Sequence, residues 1–231
     1  MKTAHQFDRH ADTYDTDLNR ALSVSGESKE YFAQKRVEWL ERCIYALGEQ
    51  PCSAIDYGCG IGDTSALLGD VFGLESVVGL DTSSRSLELA ASRHGNDSCR
   101  FVGFEDHVPG ADVDLAYCNG VFHHIPPGER RYSVDYIRRC LRPGGLFAFW
   151  ENNPWNPGTR YVMSITPFDR DAITLSPPAA GRLLRAGGFN IVSVSYLFFF
   201  PRALKPMRIF EPYLFRIPLG AQYQILCKKP D

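Results

Sequence analysis

The chain predicts an α/β fold, a parallel sheet wound on both faces by helices. Three observations carry that prediction. Residues 54–62, Ala-Ile-Asp-Tyr-Gly-Cys-Gly-Ile-Gly, read as a buried strand, an acid and a turn of glycines spaced two apart. A helix marked by Leu67, Leu68 and Phe72 follows. A second strand, Val77-Val78-Gly79-Leu80, ends in Asp81. Strand and helix then alternate as far as Trp150, which implies crossover connections and a parallel sheet. Ligands of such sheets bind outside the carboxyl ends of the strands, here Asp56, Asp81, Phe104, Asn119 and Glu151. Backbone amides at a glycine turn, with an acid ending the next strand, make a nucleotide-type site.

The elements follow in order. Tyr31 and Phe32 precede apolar residues at Val37, Leu40, Ile44 and Leu47, spaced as one helical face and stopped by Gly48. After Asp81, Ser83–Ala91 reads as a helix with a serine near its start. Short strands are predicted at 99–104 and 113–118. Pro126 and Pro127 suit a helix start, continued by Tyr132, Ile137, Cys140 and Leu141. Pro143-Gly144-Gly145 is a turn, and Leu146–Trp150 is an apolar strand. The apolar segments 190–200 and 221–227 supply the last two strands.

Composition predicts one enzyme domain over residues 1–231. Of the 231 residues 44% are hydrophobic, ample for a core, and the formal charge of −2 gives no reason to expect nucleic-acid binding. No apolar run is long enough to span a bilayer, and residues 1–8 carry no signal-peptide core. Seven cysteines without regular spacing read as reduced thiols of a cytoplasmic protein. No paired Cys-x-x-Cys occurs and the histidines are scattered, so no metal site is expected.

The glycines separate two nucleotide readings. A dinucleotide site needs G-x-G-x-x-G and a helix N-terminus open to pyrophosphate. Here the third glycine comes one residue early, and Asp63 occupies the helix start, where it cancels the positive end of the dipole. The motif resembles the first motif and second-strand acid of class I S-adenosylmethionine (SAM) methyltransferases. SAM carries an ammonium and a sulfonium instead of phosphates. Residues 112–126, Asp-Val-Asp-Leu-Ala-Tyr-Cys-Asn-Gly-Val-Phe-His-His-Ile-Pro, resemble that family's fourth-strand region. Leu141-Arg-Pro-Gly-Gly-Leu is similar to its turn before strand five, and Phe7–Asp15 to its opening. The matches run from about residue 7 to 150 in the family's order. The resemblance implies a doubly wound seven-stranded sheet, mostly parallel with an antiparallel last strand. It also implies an N-terminal helical cap over 1–50, a SAM-binding core over 51–150, and acceptor-site insertions at 151–175 and 201–219.

The resemblance carries roles over residue by residue. Gly58 and Gly60 face the methionyl and ribose parts of SAM. Asp56 orients the glycine turn or receives the ammonium, unless it caps local amides. Asp81 accepts both ribose hydroxyls. Thr82 lines the adenine pocket. Phe104 packs on the adenine, and Glu105 or Asp106 takes its amine, in a departure from the family's Asp-Ala pair at this point. Asn119 and Gly120 lie beneath the sulfonium and methionyl group. Tyr14 closes over SAM or makes a helix contact. His123 and His124 follow strand four and are candidate general bases, although the family also uses such a pair structurally. Glu151 is a second base candidate.

Acceptor choice is expected in the two insertions. The first brings Asn152, Asn153, Trp155, Arg160 and Tyr161; the second brings Phe210, Tyr213 and Phe215 among Arg202, Lys205, Arg208 and Arg216. A connection this long inside a compact domain is usually functional. Trp155, Tyr161 and Phe210 are read as walls, with Arg160 or Arg202 on an anionic group. Snorkelling cations on a packed cap are the equal alternative. The reading is SAM-dependent methyl transfer to a small or lipid-like molecule, at oxygen. Transfer to nitrogen or carbon, or a non-catalytic SAM-binding module, are the alternatives. A homo-oligomer is compatible with all of them.

Overall fold

The computed structural model describes residues 14–169 and 171–231, with side chains from residue 18 onward. Residues 7–13 of the opening pattern and the Tyr14 side chain lie outside these described positions. Seven strands form one sheet: β1 (Ser53–Tyr57), β2 (Ser76–Asp81), β3 (Cys99–Gly103), β4 (Val113–Asn119), β5 (Leu141–Asn152), β6 (Asn190–Leu197) and β7 (Gln222–Lys228). Their order is β3-β2-β1-β4-β5-β7-β6. β7 pairs antiparallel with both neighbours, and the remaining pairings are parallel. The strand order reverses between β1 and β4, which opens a crevice at their carboxyl ends.

The sheet is buried on both faces, which explains why its central strands read as unbroken apolar runs. In β5, Phe147 and Phe149 join one core while Leu146, Ala148 and Trp150 join the other. The N-terminal helices are α1 (Tyr14–Leu22) and α2 (Lys29–Ala46). Helix α2 contributes Val37, Leu40 and Ile44 to the second core, together with Leu68 of α3 (Asp63–Phe72). Helix α4 (Ser84–His94) lies against β2 and β3 and is capped by Ser83, which accepts from Ser86 N at 3.1 Å. On the other face, α5 (Arg130–Cys140) brings Val134, Ile137 and Cys140. Some boundaries differ from the sequence prediction. The prolines at 126–127 precede α5 instead of starting it, and β5 begins at Leu141 through a register irregularity opposite β4.

Neither expected insertion is a structureless loop. The first carries α6 (Pro157–Ile165), started by Asn156, whose Oδ1 accepts from Thr159 N. It continues in a short 3-10 turn at Pro167–Asp169, and α7 (Pro177–Ala186) follows beyond the insertion. The second carries a 3-10 helix at Arg202–Phe210 and the one-turn α8 (Glu211–Leu214). Among the described residues, no helix is long and apolar enough to cross a membrane.

Candidate active site

A cavity of about 950 Å³ opens over the carboxyl ends of β1, β2 and β4. Its first wall is the glycine turn. The amides of Gly58 and Cys59 both donate to Leu80 O, at 2.7 and 3.0 Å, which ties the turn to β2. Gly60 N donates to Asp81 Oδ2 at 2.8 Å, and Ser83 N donates to Asp81 Oδ1 at 2.9 Å. One backbone amide thus fixes each carboxylate oxygen of Asp81 in the cavity wall. The glycines are required for different reasons. At Gly60 (φ +54°) a Cβ would meet no protein atom within 4 Å, so the backbone there is open to a ligand. At Gly62 (φ +85°) a Cβ would lie 2.7 Å from the Phe101 ring and 2.9 Å from Ala90 Cβ, so this glycine serves helix packing.

The start of α3 is already neutralised from within the protein. Asp63 pairs with Lys29 and with His94, the latter at 2.9 Å. Burial alone would raise its carboxyl, but those two partners bring it below the usual carboxylate range. Asp56 stands apart. It is buried under the same helix and accepts from Ser65 Oγ at 2.7 Å. Burial pushes its carboxyl up to about 7, against the lowering effect of that hydrogen bond. It does not line the cavity, so the expectation that it receives an ammonium is corrected. Its place in β1 directs it toward α3.

The other expected cofactor residues divide. Thr82, Phe104, Asn119 and Gly120 all line the cavity. Phe104 packs on Tyr57 with 4.7 Å between ring centroids. Asn119 Oδ1 is buried with no hydrogen-bond partner among the described residues, an acceptor suited to an ammonium. Glu105 is exposed in the turn after β3 and stays outside the cavity wall. An aromatic pair, a fixed ribose-type acid, an open glycine backbone and an orphaned acceptor together fit SAM. A helix start occupied by Asp63 does not fit pyrophosphate.

Opposite the glycine turn lies a polar cluster. His123 is 3% exposed; its Nδ1 is 2.6 Å from Glu151 Oε2, and its Nε2 is 3.4 Å from Asp169 Oδ1. His124 Nε2 is 3.3 Å from the same Asp169 oxygen. Burial opposes charge on His123, but the Glu151 carboxylate and the Asp169 contact outweigh it and raise the ring to about 10. Both ring nitrogens of His123 thus face carboxylates of the protein itself, Nδ1 at Glu151 and Nε2 at Asp169. Burial and the neighbouring His123 lower His124 despite Asp169. Burial opposes ionisation of Asp169 as well, but the two histidines keep its carboxyl low. Glu151 is corrected as a base. It is 1% exposed and absent from the cavity wall, and its oxygens accept from Phe122 N (2.8 Å) and Asn152 N (3.3 Å) as well as from His123. It orients His123.

The remaining wall is apolar. The inward face of α6 presents Thr159, Val162, Met163 and Thr166 at helical spacing. Arg160 and Tyr161 fall on its outward face and are exposed, so their expected wall and anion roles are corrected. Trp155 is 47% exposed in the preceding turn, and Asn156 lines the cavity in its place. In the second insertion, Phe210 and Arg202 also lie outside the wall. Arg202 packs on Gly26 instead and donates weakly to Gly26 O at 3.4 Å. The wall there comes from Phe198, Phe199 and Phe200, held by Glu211 Oε1, which accepts from the amides of Phe199 and Phe200 at 3.0 Å each. Arg208 joins this roof to the segment after α1 by pairing with Glu27 at 2.8 Å and lying 4.9 Å over Tyr31. Sequence reading missed Asp169, Arg36 and the Phe198–Phe200 run as wall residues. Only the aromatic run, directly after a strand, carried a readable signal.

The comparisons with known proteins agree with this architecture. Residues 55–149 match a family described as "Methyltransferase domain". A trans-aconitate 2-methyltransferase of Methylobacterium radiotolerans is 32% identical over 139 residues, 59% of this chain and 53% of that protein. A demethylmenaquinone methyltransferase of Thermotoga maritima is 30% identical over 65% of this chain and 61% of its own. The chain thus spans between 36% and 61% of the length of the curated relatives it matches. The crystal structure of a SAM-dependent methyltransferase from Mesorhizobium loti superposes with a TM-score of 0.61 at 19% identity, covering 84% of this chain and 98% of that one. Residues 55–149 thus match a methyltransferase domain, and the seven-stranded sheet has the class I methyltransferase fold.

Proposed function

We propose that this chain transfers a methyl group from SAM to an oxygen of a small, largely apolar or lipid-like acceptor. The observation that carries the reading is one continuous cavity with a nucleoside-type wall at one end and an aromatic chamber closed by His124 and Asp169 at the other. Asp81 holds the ribose hydroxyls, the backbone at Gly58 and Gly60 lies along the donor, and Phe104 with Tyr57 flanks the adenine. Asn119 Oδ1 accepts from the ammonium. When bound, SAM supplies a methyl group on a sulfonium leaving group, so the protein's main task is to align the acceptor, an effect worth ~7–11 kcal/mol in favourable cases.

The chamber residues Phe32, Met163, Phe168 and Phe198–Phe200 exclude water and select an apolar body. The polar end at His124 and Asp169 receives the oxygen to be methylated. The relatives' named substrates, trans-aconitate and demethylmenaquinone, differ widely, so this chain's own walls decide its acceptor. The test is incubation with methyl-deuterated SAM and a fractionated lipid and metabolite extract, read by mass spectrometry. The expected product is a labelled apolar compound whose fragments place the label on oxygen. Label on nitrogen or carbon would overturn the oxygen assignment. Bound SAM with no labelled product from any fraction would overturn catalysis in favour of a binding module.

A further inference from the structure

We propose that His123, His124 and Asp169 bind a divalent transition-metal ion at the acceptor end of the cavity. One ligand atom from each of the three residues lies within 4.8 Å of the other two. Both histidine nitrogens converge on one carboxylate oxygen, at 3.4 and 3.3 Å. Charge-assisted hydrogen bonds are shorter, about 2.7–2.9 Å. Metal bonds of about 2.0–2.1 Å at tetrahedral angles hold their ligand atoms about 3.3–3.4 Å apart. The two histidine-to-carboxylate spacings are therefore those of ligands around a shared ion.

The surroundings are those of a built site. Glu151 Oε2 is 2.6 Å from His123 Nδ1, and main-chain amides of Phe122 and Asn152 hold Glu151 in turn. A carboxylate behind a ligating histidine fixes the tautomer that presents Nε2 to the metal. The backbone is anchored on both sides: His123 O accepts from Ile173 N at 2.8 Å, and Asp169 N donates to Thr166 O at 3.1 Å. All three ligands also line the cavity, so further coordination positions face the acceptor. Two imidazoles and one carboxylate with open positions suit zinc, iron(II), cobalt(II) or manganese(II). They do not suit magnesium or calcium, which prefer oxygen donors throughout. The scattered histidines hide this cluster from the sequence, because its carboxylate comes from the insertion after β5. Resting on the methyltransferase reading, the ion's role would be to hold the acceptor's oxygen; binding of the ion itself does not depend on that reading.

The test is titration of chelator-treated protein with cobalt(II), followed by visible absorption and elemental analysis. SAM binding is measured by calorimetry on the same samples. The expected result is d–d bands that saturate at about one ion per chain and are displaced by zinc. Asp169→Asn and His124→Asn should abolish the bands while SAM still binds, which certifies folding. Glu151→Gln should weaken cobalt ~10–100-fold. Wild-type protein that binds SAM but shows no saturable cobalt or zinc overturns the metal site and leaves the methyltransferase reading standing. Bands that survive in both ligand variants overturn it too. Cobalt binding without SAM binding keeps the metal site and removes the methyltransferase reading.

Discussion

Replacing Asp56 by asparagine separates a structural acid from a ligand-binding one. Asp56 lies beneath α3, 2% exposed, with Ser65 as its hydrogen-bond donor. Burial raises its carboxyl from 3.8 to about 7 in the folded chain, with the Ser65 bond and Arg36 opposing and Asp81 adding to the rise. A folded-state value above the unfolded one means that the folded chain binds the proton more tightly. The stabilisation from that proton is full below about pH 4 and is lost as pH rises through about 7. At ~1.36 kcal/mol per pH unit, the rise corresponds to about 4 kcal/mol at most. The amide in the variant would still accept from Ser65 but carries no charge to desolvate. Asp56→Asn should therefore match the wild type near pH 4 and gain on it steadily up to pH 8, by about 2–4 kcal/mol. Urea unfolding of both proteins at several pH values reads the difference, and calorimetry at pH 8 should find SAM affinity unchanged within about threefold. Parallel stability profiles for the two proteins, or a large loss of SAM affinity, would refute this placement of Asp56.

The same geometry sets further outcomes. Asp81→Ala removes the charged acceptor that is anchored to Gly60 N and Ser83 N; it should weaken SAM by about 1.5–3 kcal/mol, roughly 10–150-fold, in a calorimetric titration. Gly60→Ala should cost ~1–2 kcal/mol of stability in denaturant because its φ is positive, and should lower SAM affinity as the new methyl enters the cavity. Gly62→Ala adds a clash with Phe101 and should cost more, about 2–5 kcal/mol. Arg208→Ala breaks the pairing with Glu27 and should raise acceptor KM with little change in SAM affinity, whereas Trp155→Ala and Tyr161→Ala should leave both constants near wild type.

The fold was legible because its signals are local. The glycine turn, the acid ending β2 and the unbroken apolar run of β5 each follow from backbone geometry or two-sided burial. Gly58, Gly60, Asp81 and Asn119 line one cavity for the same reason: they sit at or just beyond strand ends that the topology brings to one crevice. Asp56 misled because a strand-end acid reads alike whether it faces a ligand or a helix. The acceptor wall was not legible. Which face of α6 turns inward depends on packing, so Arg160 and Tyr161 drew attention that belonged to Thr159 and Met163. Asp169 is one acid in a turn, and only the tertiary fold brings it between two histidines.

A crystal structure with S-adenosylhomocysteine is the decisive measurement for the donor site. Both ribose hydroxyls should lie within hydrogen-bond distance of the Asp81 carboxylate, about 2.5–3.0 Å. The adenine should sit beside Phe104, the amino group at Asn119 Oδ1, and the sulfur should face the chamber of His124 and Asp169. A ligand that avoids Asp81, or a protein that takes up NAD at the start of α3 and excludes S-adenosylhomocysteine, would contradict this arrangement.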